Sequence, residues 1–225
     1  STLDLSGLDT SNMTSMSKMF YNSKSLTNID TSGFDTSKVV NMNGMFWGCN
    51  NLKNIDVSNF KTSNVTDMNN MFADCSSLTT LDLSNFDTSN VTTMGNPYSY
   101  SYGGMFRNCS SLVSLNVSSF NTSKVKQMSN MFHGCSSLVT LDLSNFDTSN
   151  VTAMASMFEK CTNLKKLNLS SFNTSKVTNM DSMFMNCKSL TDLDLSGFDT
   201  SSVQTFKQMF YTCSSLVNLD LSSFD

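Results

Sequence analysis

A carboxylate or amide side chain recurs in the middle of each repeated Leu-x-Leu-type triplet of this sequence. The candidate binding residues are Asp30, Asp56, Asp82, Asn116, Asp142, Asn168 and Asp194, with Asp4 and Asp220 at the two ends. Because side chains alternate between the two faces of a strand, these groups should lie on the exposed face of a sheet. Such a column could bind a cation or a basic partner. The alternative is that neighbouring hydroxyls, such as Ser32, and water satisfy the carboxylates.

Three tyrosines alternate within the segment GNPYSYSYGG, which also holds the only proline of the chain. They are Tyr98, Tyr100 and Tyr102. Tyrosine combined with Ser and Gly is typical of contact surfaces, because the ring gives a large rigid area and its neighbours adapt. The segment is a candidate binding loop. The alternative is a flexible insertion without a ligand, since surface insertions cost little stability.

Seven cysteines each follow the Phe of a Met-Phe pair by three residues. One cysteine per repeat provides no Cys-x-x-Cys ligand pair, so we expect buried free thiols, with disulfides between neighbouring repeats as the alternative. The single histidine, His133, belongs to no recognisable nucleophile pair, and neither a phosphate loop nor an H-E-x-x-H motif occurs. We therefore expect no enzyme, no metal site and no cofactor.

The composition excludes several classes of protein. Of the 225 residues 39% are hydrophobic and 14% are charged, and the net charge is −4. This chain is too apolar to be a disordered tail, and mildly acidic chains are poor partners for nucleic acid. No run of eighteen apolar residues occurs, so we expect no membrane insertion.

The Met-Phe pairs mark an internal period. They begin at residues 19, 45, 71, 105, 131, 157, 183 and 209, so every step is 26 residues except one of 34. The longer step contains an eight-residue insertion around residues 96–103. We expect residues 1–225 to form a single solenoid of about eight 26-residue repeats plus a final strand, as part of a longer repeat array.

The pattern of each repeat predicts the same secondary-structure elements. The Leu-Asp-Leu triplet alternates with period two and predicts a short parallel strand, nine of them in all. A capped turn at F-D-T-S follows. The next apolar residues have helical spacing and would lie within about 120° of one another around a helix axis, which predicts a short helix. The example is Val65, Met68, Met71, Phe72 and Cys75. Since helices are thicker than strands, we predict a curved α/β repeat solenoid, with the sheet on the concave side and the helices on the convex side.

The repeat resembles a known family. L-x-x-L-x-L-x-x-F is similar to the leucine-rich repeat, and the 26-residue form with FDTSxVTxMxxMFxxC, as in residues 51–92, resembles the BspA-like leucine-rich-repeat surface proteins of bacteria. The resemblance implies a secreted or cell-surface protein, often an adhesin. Its expected partner is a protein or glycan of a host or of a neighbouring cell.

Different kinds of function agree with these patterns. The first is a non-catalytic module for adhesion or for protein or glycan binding, through the sheet face, the tyrosine segment or both. The second is a structural filament or stalk, in which copies of the protein stack end to end through the open ends of the solenoid. A third alternative is cation binding by the Asp column.

Overall fold

Short parallel strands line one side of the molecule, which we call the strand face. The computed structural model describes residues 2, 3, 5, 7–96 and 103–224. The strands are β1 Thr2–Leu3, β2 Asn28–Ile29, β3 Thr80–Asp82, β4 Ser114–Asn116, β5 Thr140–Asp142, β6 Lys166–Asn168, β7 Asp192–Leu193 and β8 Asn218–Leu219. They form four parallel pairs, β1–β2, β3–β4, β5–β6 and β7–β8. The predicted strand at residues 54–56 is not formed, so the sheet is interrupted there and between successive pairs.

Equivalent residues of neighbouring repeats lie opposite each other in the strand pairs. Leu81 of β3 faces Leu115 of β4, and Leu141 of β5 faces Leu167 of β6. The leucines point inward, as the alternation predicts, and the side chains between them point outward. One repeat is therefore one level of the stack, and we call it a rung.

The opposite side of each rung, the turn face, consists of consecutive tight turns. It comprises residues 14–23 and their equivalents. In the first rung the N–H of Met19 donates to the carbonyl of Met16, while the next amide, Phe20, donates to the carbonyl of Met45 in the second rung at 2.8 Å. The described residues contain no helix, so the predicted short helices on the convex side are wrong. Alternate amides are bonded to the next rung instead of to the residue four positions earlier.

Two residues in each turn face have a left-handed backbone, which an α-helix of L-residues does not contain. In the third rung they are Asn70, with φ 58°, and Asp74, with φ 57°. The equivalent pairs are Lys18 and Asn22, Gly44 and Gly48, Gly104 and Asn108, Asn130 and Gly134, Ser156 and Lys160, Ser182 and Asn186, and Gln208 and Thr212. Gly or Asn fills nine of these sixteen positions, because both residues tolerate this conformation well.

A ladder of single bridges connects the rungs along the turn face. It runs from Ser15 opposite Asn41 to Asn179 opposite Thr205, with one bridge between each successive pair of rungs. Stacked Phe rings on this side are 5.6 Å apart for Phe46 and Phe72. The ladder and the stacked rings together join the rungs along the turn face, in place of the predicted helices.

One hydrophobic core runs through the rungs from Met16 to Met209. The five residues of the predicted apolar stripe, Val65, Met68, Met71, Phe72 and Cys75, are all fully buried. Their inward direction was predicted correctly although the helix is absent. Because the rungs share this core, each one is stabilised by apolar contacts with its neighbours.

Candidate binding site

The predicted column of carboxylates and amides lies on the strand face. Asp30, Asp56, Asp82, Asp142, Asn168 and Asp194 are exposed, and Asn116 is partly exposed. Each side chain also closes the turn that follows it, as where Asp82 Oδ1 accepts the N–H of Ser84 at 3.0 Å. At the other six positions the side-chain oxygen likewise accepts the N–H of the residue two positions later. Neighbouring serines thus satisfy one oxygen of each group, and the rest of the side chain faces solvent.

These hydrogen bonds favour the ionised form of the aspartates in the column. Bonds from the backbone N–H and the hydroxyl of Ser84 hold the pKa of Asp82 below its usual value. The hydroxyl and N–H of Ser196 lower the pKa of Asp194 in the same way. Hydrogen bonding to the charged form is the cause in each case. The strand face therefore carries a row of negative charges at neutral pH.

A groove of about 700 Å³ opens on the strand face beside the unpaired edges of β6 and β7. It is lined by Thr140, Leu141, Asp142, Lys165, Lys166, Leu167, Asn168, Thr191, Asp192 and Asp194. Two smaller grooves, of about 290 and 270 Å³, lie between β4 and β5 and between residues 54–58 and β3. The grooves occur where ladder pairing is missing. The largest one brings together three of the predicted binding residues, Asp142, Asn168 and Asp194.

Two lysines that sequence reasoning did not select also line this groove. Lys165 and Lys166 are the only adjacent cations in the chain, and both side chains are exposed. The three ion pairs between described residues lie elsewhere, so neither lysine has a carboxylate partner among them. The doublet could have been noticed, since the equivalent positions of the other rungs hold no second pair of lysines. The groove offers two free ammonium groups beside carboxylate and amide oxygens, which suits a ligand with both an anionic group and hydrogen-bond donors.

The predicted binding residues of the tyrosine segment lie outside the described residues. They are Tyr98, Tyr100 and Tyr102. The described ends of the insertion lie on the turn face, where Gly95 and Gly104 form an antiparallel bridge. A Cβ atom on Gly104, whose φ is 151°, would lie 2.1 Å from the carbonyl oxygen of Asn130, so the neck requires glycine there. The structure thus places the neck of the insertion and the carboxylate column on opposite faces.

The cysteines form a column of free thiols inside the turn face. All seven are free, and all except Cys213 are fully buried. The thiol of Cys135 donates to the carbonyl of Phe106 in the preceding rung, with an Sγ–O distance of 3.1 Å. Burial raises the pKa of Cys161 to about 12. These thiols act as small core residues with a weak donor, and the alternative of disulfides between rungs is not realised.

The described residues contain no group of three or more His, Cys, Asp or Glu side chains that could hold a metal ion. They also contain no helix with the length and hydrophobicity needed to cross a membrane.

Several solved structures of bacterial leucine-rich-repeat proteins match this chain. One from Eubacterium ventriosum has 21% identity and a TM-score of 0.51, with coverage of 86% of this chain and 47% of that chain. The T. pallidum leucine-rich-repeat protein TpLRR has 23% identity, a TM-score of 0.48 and coverage of 78% and 70%. A leucine-rich cell surface protein from Faecalibacterium prausnitzii has 17% identity, a TM-score of 0.38 and coverage of 92% and 77%. The chain spans about half the length of the Eubacterium protein.

The sequence itself matches one family along nearly its whole length. Residues 1–102 and 100–224 each match the family described as Mycoplasma protein of unknown function, DUF285. No curated protein matches the chain. The predicted resemblance to bacterial leucine-rich-repeat proteins of the BspA-like type is thereby confirmed. The chain belongs to the DUF285 family, and its fold is a leucine-rich-repeat solenoid.

Proposed function

We propose that this protein is a non-catalytic binding module of the bacterial cell surface and that the groove on the strand face is its binding site. The observation that carries the proposal is the juxtaposition of Lys165 and Lys166 with Asp142, Asn168 and Asp194 in a groove of about 700 Å³. Cations that lack a carboxylate partner in a rigid stack retain their capacity to bind an anionic ligand group.

The chemistry of the groove favours a polar ligand. Its outward-pointing side chains are Thr, Lys, Asp and Asn, and the exposed residues contribute no aromatic ring. An anionic group on the ligand would contact the two lysines, while hydroxyl or amide donors would contact Asp142 and Asp194. Both a glycan and a polar protein surface offer this combination. The rungs on which these groups stand are fixed by the common core, so binding requires little ordering of the backbone.

We also propose that the protein is secreted or held at the cell surface. The support for this location is the resemblance of the 26-residue repeat to the BspA-like surface proteins. The partner would then be a protein or glycan of a host or of a neighbouring cell. Antibody labelling of intact cells that produce the protein, compared with lysed cells, tests the location, and labelling only after lysis would contradict it.

A binding screen against immobilised matrix proteins and glycans tests the function. The informative variant is Lys165→Thr with Lys166→Thr, because Thr79 and Thr80 occupy the same positions in another rung. The matched control is Lys124→Asn with Lys176→Asn, which removes two charges from a different side and copies Asn90 and Asn150. We expect binding to fall at least about tenfold in the first variant and to persist in the second. Equal binding by both variants, or no ligand at all, would contradict the proposal.

One observation favours a second candidate function, a filament or stalk of stacked copies. Along most of the turn face the donors lie in the earlier rung, as where the N–H of Phe184 donates to the carbonyl of Met209. The first residue of each turn face is the exception, as where the N–H of Val40 donates back to the carbonyl of Thr14. The same polarity would admit a further rung of this type, whether from the same chain or from a second copy. Electron microscopy distinguishes the two functions: regular fibres one solenoid wide support stacking, and dispersed single particles count against it.

A further inference from the structure

The position directly after each Met-Phe pair is the most varied column of the turn face. It is occupied by Tyr21, Trp47, Ala73, Arg107, His133, Glu159, Met185 and Tyr211. This one column holds the only tryptophan, arginine, histidine and glutamate of the chain. Ala73 is accommodated there as readily as an aromatic ring, so the fold does not require the aromatic side chains of the first two rungs.

Those two aromatic side chains form a contact on the outside of the turn face. The ring centroids of Tyr21 and Trp47 are 4.9 Å apart with an interplanar angle of 61°, an edge-to-face arrangement. The side chain of Tyr21 is 42% exposed and that of Trp47 is partly exposed. Their rungs are joined by a hydrogen bond of 2.7 Å from the N–H of Asn22 to the carbonyl of Trp47. The pair is thus a solvent-accessible surface on a fixed backbone.

Polar contacts hold Trp47 in a single orientation. Its indole Nε1 donates to Asp74 Oδ2 at 2.8 Å. Asp74 is itself held by Asn108, whose Nδ2 donates to Oδ1 at 2.7 Å, and by an ion pair of 3.3 Å with Arg107. Three residues from the next two rungs therefore fix the ring plane of Trp47. A partner that contacts a side chain already held in place pays little conformational entropy for it.

Two lysines of the first rung add positive charge near this aromatic pair. Lys18 Nζ lies 5.7 Å from the ring centroid of Tyr21, and Lys24 follows Tyr21 by three residues and is exposed. Neither lysine forms an ion pair with the described part of the chain. The nearby carboxylate, Asp74, is occupied by Trp47, Arg107 and Asn108. In a chain of net charge −4 this leaves a local excess of positive charge.

We propose that Lys18, Tyr21, Lys24 and Trp47 form a docking patch for an acidic peptide segment of a protein partner. Tyr21 and Trp47 would be the anchors, and the two lysines would attract and orient the acidic side chains. A protein partner is favoured because Trp and Tyr are the residues that dominate protein interfaces, while the complementary charge selects acidic sequences. The patch lies on the opposite face from the Lys165–Lys166 groove and is independent of it.

A displayed library of short random peptides tests this inference, with wild-type protein and Trp47→Ala as parallel baits. We expect the peptides that bind wild type to be enriched in Asp and Glu and to be absent from the Trp47→Ala selection. A synthetic peptide with an enriched sequence should change the fluorescence emission of Trp47, the only tryptophan of the chain. Its affinity should fall at least about tenfold in Tyr21→Ala and severalfold in Lys18→Ser with Lys24→Ser.

The controls separate docking from folding and from the groove. Trp47→His copies His133, so it tests whether loss of binding occurs in a folded protein, and Tyr211→Ala removes an exposed tyrosine from the last turn face. Peptide binding should persist in Tyr211→Ala and in Lys165→Thr with Lys166→Thr. Enrichment without acidic residues, or equal binding by the folded Trp47→His variant, would overturn the inference. Binding of a sulfated glycan that depends on Trp47, without any peptide binder, would also overturn it.

Discussion

The hydroxyl of Thr36 donates to the carbonyl of Lys61 at 3.0 Å and accepts the N–H of the same residue at 2.7 Å. One buried side chain thereby satisfies both backbone groups of a residue in the next rung. The same pair of bonds joins Thr10 to Asp35, Thr88 to Asn121, Thr148 to Asn173 and Thr174 to Asp199. The threonine of F-D-T-S is thus a bridge between rungs and not the cap of a helix, as its position in the sequence pattern had indicated.

Replacing Thr36 by Val should lower the free energy of unfolding by about 3 kcal/mol. Two hydrogen bonds of about 1 kcal/mol each are lost, and a buried N–H and carbonyl are left without partners. Thr36→Ser keeps the hydroxyl and should cost much less. Urea denaturation measures the difference, with Thr178→Val as a control because that side chain is exposed. A loss below about 1 kcal/mol for Thr36→Val would show that the bridge is unimportant.

Asn145 should be a second stabilising bridge. Its Nδ2 donates to the carbonyls of Val117 and Phe120 in the preceding rung at 3.1 and 2.9 Å. In the next two rungs the equivalent residues are Ser171 and Gly197. The hydroxyl of Ser171 donates to the carbonyl of Leu143 at 3.1 Å, and Gly197 has no side chain to donate. We expect Asn145→Ser to be nearly neutral and Asn145→Gly to cost about 1–2 kcal/mol. Both values come from the same denaturation experiment, and equal stability of the two variants would refute the role of the amide.

The cysteines should react in an order set by their position in the stack. Burial raises the pKa of Cys135 well above its usual value, and Cys213 is the one cysteine that is only partly buried. Since the thiolate is the reactive form, iodoacetamide should modify Cys213 first in the native protein and all seven equally in urea. Peptide mass spectrometry after a short exposure gives the order. Early modification of Cys135 would mean that the core opens more easily than the structure implies.

Glu159 should make the fold sensitive to acid. Burial raises its pKa, but the neighbouring His133, whose Nδ1 lies 3.5 Å from Oε2, and a hydrogen bond from Ser156 lower it more, so the pKa falls from 4.5 to about 2. Glu159 therefore binds a proton more readily in the unfolded chain than in the folded protein. Its ionised carboxylate stabilises the fold above pH 4.5, and this stabilisation is lost as the pH falls towards about 2. Glu159→Gln should therefore unfold at a lower temperature than wild type near neutral pH. Thermal melts at several pH values should show this gap narrowing in acid, and a gap independent of pH would contradict the assignment.

The repeat and the buried residues could be predicted because both follow from local patterns in the sequence. The 26-residue period and the alternation at Leu81 and Leu83 need no knowledge of long-range contacts. The helix was predicted wrongly because the spacing of Val65, Met68, Met71 and Phe72 places apolar groups on one side in a helix and in a series of turns alike. The residues with a left-handed backbone could have corrected the helix prediction. Gly44 and Gly48, four residues apart, fit turns better than a helix.

The binding site was predictable only in part. Exposure of the carboxylate column follows from strand alternation, and Asp142 and Asp194 lie on the strand face as expected. The groove itself depends on where the sheet is interrupted, and pairing between rungs is decided by stacking rather than by local sequence. For that reason Lys165 and Lys166 could be assigned to the site only from the structure. The docking patch likewise depends on a contact between Tyr21 and Trp47, which are 26 residues apart.

Scalar coupling through hydrogen bonds, measured by NMR on the isotope-labelled protein, tests the turn-face ladder on which the architecture depends. The decisive amide is that of Phe132, which donates to the carbonyl of Met157 in the next rung at 3.0 Å. The structure predicts a coupling between the Phe132 nitrogen and the Met157 carbonyl carbon. A coupling to the carbonyl of Met128, four residues earlier, would mean that the turn face is helical and would contradict this account.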